Sequence, residues 1–369
     1  MNIYEELGLK KVINGSGKMT ALGGSTVDPR VGDCIKEAAM NFVDIEALIN
    51  RAGEIIANYT GGEDACITSS ASAGIAISVA ACIARDNLTA IERLPISEGL
   101  TNQVIMQKGH AINYGASIQQ MIRLGGGIPH EVGQANKVEI NHIKEAITEK
   151  TAALFYVKSH HTVQKGMVSI EGMIKIAKAH NLPLIIDGAA EEDLQRYIKL
   201  GADLVIYSGA KAIEGPTSGF ITGRKDLINY CKLQYKGIGR AMKIGKENIM
   251  GLLKAIDLYS NKDNEEKAKE HKQNMEWLVG EINKIKELKA TLTQDEAGRD
   301  IHRTEIRVDS DTLGVNADYI ISKLENGNPA IYTRNHYANI GIINIDPRPL
   351  QEGEEKLILK KLKEIINSL

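Results

Sequence analysis

LPLIIDGAAEEDLQRYIKLGADLVIYSGAK, residues 182–211, decides the fold. It contains two short runs, LPLIID (182–187) and DLVIYS (203–208), that are apolar without alternation, the pattern of strands buried on both faces of a parallel sheet. Each run ends on a polar residue followed by small ones, Asp187 before Gly-Ala-Ala and Ser208 before Gly-Ala. Similar runs lie on either side: ACIT (65–68), NQVIMQ (102–107), AALFYV (152–157) and GFITG (219–223). Longer segments of helical spacing connect them, as in SIEGMIKIAKAHN with Ile170, Met173, Ile174 and Ala177. Residues 60–224 therefore read as α/β, with helices covering a mostly parallel sheet.

After residue 245 the texture changes to long charged helical stretches, then an alternating segment, RTEIRVDS, and a last helix, EEKLILKKLKEIINSL. The expected organisation is a large domain over 1–245 and a smaller α+β domain over 246–369. A chain of 369 residues exceeds the size at which one core usually stops growing. Its 43% hydrophobic and 25% charged residues exclude disorder. Lys and Arg number 45 against 47 Asp and Glu, so no global positive field recommends a nucleic acid as partner. Cys34, Cys66, Cys82 and Cys231 lack CxxC spacing and read as reduced packing residues, with no metal site implied. No stretch reaches the roughly 18 uninterrupted apolar residues of a membrane helix, and a cytoplasmic location is the expectation.

The chemistry starts from Asp187 and Lys211. Ligands of open α/β sheets bind outside the carboxyl ends of the strands. Asp187 stands at such an end, although an aspartate there also caps helices. Lys211 emerges just after the next run; alone, a lysine there is an ordinary surface residue. Together they are what pyridoxal phosphate (PLP) requires: an amine to form the imine and a carboxylate to keep the pyridine nitrogen protonated. A third element is CITSSASAGIAISVAACIA, where a strand stops at a small-residue turn and a helix begins. Backbone N–H groups at Ser70, Ala71 and Ser72 can cradle a phosphate, and Ser208 can add a hydroxyl. Without the Asp and Lys, an N-cap and close helix packing would explain that turn.

These residues, in this order, resemble fold-type I PLP enzymes. The segments KKVINGSGKMTALGG, QKGHAINYGASIQQMIRLGGGIPHEVGQANK and SGAKAIEGPTSGFITGRKDLI resemble the bacterial selenocysteine synthase superfamily, and within it the branch of D-glucosaminate-6-phosphate ammonia lyases, over nearly the whole chain. The resemblance implies a large domain with a mostly parallel seven-stranded sheet, a smaller C-terminal α+β domain, and a homodimer or larger homo-oligomer. It also implies that His110 packs over the face of the cofactor ring and that His160 or His161 reaches the ring's hydroxyl, His110 being preferred. In these folds an arginine of the small domain holds the substrate carboxylate. Arg348 in INIDPRPL and Arg334 in AIYTRNHY qualify, Arg348 ahead. Arg240, Lys243 and Lys246 in YKGIGRAMKIGKEN fit a sugar phosphate, a subunit contact or a solvated hinge.

The implied activity is elimination of water and ammonia from a phosphorylated amino-sugar acid. A selenotransferase acting on seryl-tRNA is disfavoured by the slightly negative charge and by the chain's starting almost at VIN, without the expected tRNA-binding extension. An aldolase, racemase or β-lyase would share Lys211 and Asp187. A non-catalytic α/β binding protein would have no need to keep both. A dinucleotide-binding module would need a G-x-G-x-x-G that is absent.

Overall fold

The computed structural model describes residues 3–159, 161–262, 264–295 and 300–369. Among them twelve strands occur: β1 (Val12–Gly15), β2 (Asp64–Thr68), β3 (Gln103–Gln107), β4 (Ile128–Val132), β5 (Thr151–Val157), β6 (Leu184–Asp187), β7 (Leu204–Ser208), β8 (Gly219–Gly223), β9 (Leu288–Gln294), β10 (His302–Val308), β11 (Ala330–Thr333) and β12 (Ile342–Ile345). No helix among the described residues is long and apolar enough to cross a membrane.

The larger unit, Val27–Asn261, is built on a seven-stranded sheet of order β2-β8-β7-β6-β5-β3-β4. Only β8 runs against its neighbours. The six apolar runs of the sequence are six of these strands. The seventh, IPHEV, is an edge strand paired only with β3 and mostly solvent-facing, so its sequence carries a proline and charge where the others carry Ile and Val.

Strand alternation divides the core into two layers. Leu184, Ile186, Tyr156 and Val205 face one layer, shared with the helices Ile45–Thr60, Ile170–Ala179 and Lys246–Ser260. Ile185, Phe155, Val157 and Ile206 face the other, shared with the helix Ala71–Ala84. That helix is apolar on nearly every side because it is buried on nearly every side. Asp187, two residues after Ile185, falls on its side of the sheet.

The smaller unit comprises the chain up to Thr26 and from Lys262 onward. In it β1 pairs in parallel with β11, and β12-β10-β9 form an antiparallel sheet. Ile13, Leu278, Ile320, Ile343 and Leu362 share its core. The expected division at 245 differs from this in two respects. Charge begins to dominate the sequence there, yet the helix Lys246–Ser260 buries Ile249, Leu252, Ala255 and Ile256 in the larger unit. At the other end the N-terminal residues supply a strand to the smaller unit.

Two helical glycines give opposite expectations. A Cβ on Gly53 would lie 2.4 Å from the Ala65 carbonyl oxygen, whereas one on Gly280 would meet nothing within 4 Å. Gly280→Ala should raise stability by up to about 1 kcal/mol through helix propensity. Gly53→Ala should lower it by about 1–3 kcal/mol, as overpacking outweighs the same gain. Urea unfolding midpoints of the two variants check this; a stabilised Gly53→Ala would show that the helix does not lie against β2 as described.

Candidate active site

Asp187 closes β6 and is buried. Its Oδ1 accepts a hydrogen bond from the Ala189 N–H at 3.1 Å. Burial pushes its carboxyl pKa up, while the nearby Lys211 ammonium and that hydrogen bond pull it down. Its charge therefore depends on positive charge beside it. Lys211 is brought there by the β6–β7 pairing, in which Asp187 lies opposite Ile206. The loop after β7 is closed by backbone hydrogen bonds, Gly209 N–H to Ser218 and Gly215 N–H to Gly209.

The cradle forms where β2 runs into the helix Ala71–Ala84. Ser70 is the N-cap: its Oγ accepts from the Ala73 N–H at 3.1 Å and its carbonyl is fixed by the Thr68 hydroxyl at 2.7 Å. The N–H groups of Ala71 and Ser72 have no acceptor among the described residues, as first-turn donors do not. Gly219 of β8 lies between Thr68 and Ser208 in register, and a Cβ on it would come within 2.6 Å of the Ala71 nitrogen. Only glycine leaves this floor open, and the same register puts Ser208 beside the cradle.

Sequence reasoning missed Tyr114, whose hydroxyl donates to Ser72 Oγ at 3.1 Å. Burial raises its phenol pKa, against the lowering effect of the Ser72 hydrogen bond, and the Asp187 charge adds to the rise. The one available signal was an aromatic residue inside the Asn-Tyr-Gly turn of a segment already singled out.

His110 is enclosed by the protein. Its side chain is 0% exposed and packs perpendicular to the Tyr156 ring, centroids 4.4 Å apart, so it is a sealed wall residue rather than an open face. Its Nδ1 accepts from the Val157 N–H at 3.3 Å, which puts the neutral ring's proton on Nε2, an atom with no hydrogen-bond partner among the described residues. Burial, with help from Lys158, lowers its pKa to about 4. His160 lies outside the described residues. His161 is exposed, its N–H donating to Ser159 Oγ at 3.2 Å.

Arg240 and Lys243 are exposed in or beside the short turn Ile238–Met242. Lys246 is committed elsewhere: its ammonium caps the helix Pro29–Ala39 through the Ala38 and Ala39 carbonyls. The smaller unit holds its own charged cluster. Arg348 makes a two-pronged contact with Asp346, at 2.9 and 2.8 Å, and Arg303 reaches the same carboxylate at 2.9 Å. Burial opposes the Asp346 charge, but the two guanidiniums outweigh it and hold the carboxyl far below its usual range. Arg334 is half-buried beside Arg303 and Arg348, and its guanidinium has no hydrogen bond or ion pair among the described residues. Burial and those like charges lower its pKa.

The family model for SelA, L-seryl-tRNA selenium transferase, matches residues 12–316. The chain belongs to that family. It is 50% identical over 364 residues to D-glucosaminate-6-phosphate ammonia lyase of Salmonella typhimurium, covering 99% of this chain and 98% of that protein. It is 41% identical over 365 residues to 5'-C-glycyluridine monooxygenase-decarboxylase of a Streptomyces species, covering 98% and 92%. A solved structure of D-glucosaminate-6-phosphate ammonia-lyase matches with a TM-score of 0.93 and 49% identity, over 100% of this chain and 99% of that one. The fold is that of the fold-type I PLP enzymes. The residues present fit that cofactor: a buried carboxylate in want of a cation, an amine beside it, and a cradle with two unsatisfied N–H groups and a floor that any Cβ would fill.

The neutral His110 carries a pH consequence. Unfolded, it binds a proton below about pH 6.5; folded, only below about 4. The unfolded state therefore holds more protons in that window, and stability falls as pH drops through it. Between pH 7.5 and 5 the loss due to this group should be about 2 kcal/mol, and His110→Gln should remove that share of the pH dependence of the urea midpoint. An unchanged dependence would mean His110 accepts a proton in the fold.

Proposed function

We propose that this chain is a PLP-dependent ammonia lyase acting on a 2-amino-3-hydroxy sugar acid, with D-glucosaminate-6-phosphate as substrate. The reading is carried by Asp187, buried at the end of β6, and Lys211 in the turn after the neighbouring β7, in a chain half identical along its length to an enzyme of that name. PLP, attached through its aldehyde to Lys211, supplies an electron sink for the pair left when a bond at C2 breaks. Asp187 holds the proton on the pyridine nitrogen, and the resulting positive charge in turn keeps the buried carboxylate ionised. The Ala71 and Ser72 N–H groups, Ser70 and Ser208 receive the phosphate.

Lys211 would hold the cofactor and, once freed by the substrate amine, would take the C2 proton. That step needs a neutral amine, and a protonated ring beside it favours one. The C3 hydroxyl would then leave as water, taking up one proton in place of the one removed from C2, and hydrolysis of the released product would yield a 2-keto-3-deoxy acid and ammonia. The water lost is regained, so the net change is loss of ammonia. Arg334 receives the substrate carboxylate; the earlier preference for Arg348 gives way because Arg348 is already paired with Asp346 and Arg334 is not. Arg240 and Lys243 are left to meet the sugar phosphate. A homodimer or larger assembly in the cytoplasm completes the proposal.

Purified protein should carry visible absorption that Lys211→Ala loses, and should release ammonia and 2-keto acid from D-glucosaminate-6-phosphate in equal amounts. A coloured protein inert to that substrate would move the search to other hydroxy-amino acids, and oxygen uptake with carbon dioxide release to the activity named for the Streptomyces relative. Arg334→Ala should raise KM by about tenfold or more, the worth of a charged hydrogen-bonded contact. Arg348→Ala should chiefly lower the urea midpoint. The reverse pattern would return the carboxylate to Arg348.

A further inference from the structure

We infer that Tyr114 is a positioning residue for the cofactor phosphate: by donating to Ser72 Oγ it turns the Ser72 hydroxyl proton into the anion cradle. The inference rests on the PLP reading above. Ser72 is the second residue of the helix Ala71–Ala84, so its N–H and its hydroxyl both belong to the turn where an anion would sit. A serine hydroxyl has one proton and two lone pairs. With a lone pair taken by the phenol, the proton remains to be given, and no acceptor among the described residues takes it. An anion in the cradle is the acceptor that completes the chain from phenol to serine to phosphate oxygen.

The turn that carries Tyr114 is built to hold it there. The Gly115 N–H donates to Asn113 Oδ1 at 2.8 Å, the Tyr114 N–H donates to the Ala116 carbonyl at 3.1 Å, and the Ile118 N–H returns to the Ile112 carbonyl at 3.1 Å. Gly115 takes φ +117°, a value that closes the turn and that a side chain would strain. Ile112, Tyr114 and Met121 pack against the core layer that holds the helix Ala71–Ala84. The phenol is thus fixed by its backbone and by its ring, with its hydroxyl directed at Ser72. Burial keeps it protonated, so it remains a donor throughout the working pH range.

Cofactor is stripped from wild type, Tyr114→Phe, Ser72→Ala and the double variant, and each is titrated with PLP and with pyridoxal, which has the ring and aldehyde without the phosphate, following visible absorption. Tyr114→Phe should weaken PLP about three- to tenfold and leave pyridoxal unchanged. The double variant should be no weaker than Ser72→Ala alone, because Tyr114 acts through Ser72. Wild-type affinity for PLP in Tyr114→Phe, equal losses for PLP and pyridoxal, or additive losses in the double variant would each overturn the inference. A wild type that takes up no PLP would overturn the cofactor reading beneath it.

Discussion

A carboxylate sealed at the end of a strand costs free energy until positive charge meets it, and Asp187 is in that position. Much of the larger unit follows from meeting that need. β7 lies beside β6 and delivers Lys211, while the Ala189 N–H takes one carboxylate oxygen. Neither fully offsets burial, since the carboxyl stays above its ordinary pKa. A cation bound against Asp187 would relieve the remainder.

The sheet makes the juxtaposition possible through its two-residue period. Because Ile185 faces the helix Ala71–Ala84, Asp187 must as well. The small residues of that helix let it lie close on the strands, and Gly219 keeps its first turn open. A substitution in β8 that looks remote from any acid or base would therefore collide with the backbone of Ser70 and Ala71 in that first turn. Packing and binding are not separable here.

This explains what was legible in the sequence. Strands buried on both faces must be apolar throughout, so LIID, LVIYS and AALFYV announced themselves, and Asp187 and Ser208 stood out as polar residues closing two of the runs. The edge strand IPHEV had no such pressure and is not among the apolar runs of the sequence. β1 and β11 pair across more than 300 residues of chain, a contact no local pattern encodes, so the N-terminal segment was assigned to the wrong unit. Tyr114 and the sealing of His110 depend on where a turn folds back, which the residues GHAINYG do not state. Arg334 and Arg348 were both visible as candidates, but only the location of Asp346 tells which one is already engaged.

The relatives share this scaffold while bearing names of different reactions, a lyase, a monooxygenase-decarboxylase and a selenium transferase. A likeness shared by proteins of such different names does not by itself fix the reaction, since an electron sink assists whichever bond at the reacting carbon is broken. What remains to decide is how the substrate is held. In the smaller unit one carboxylate, Asp346, engages Arg303 and Arg348, and among the described residues Arg334 forms no ion pair, although Asp346 and Asp295 act on it from a distance. A half-buried guanidinium in that state is a standing demand for an anion.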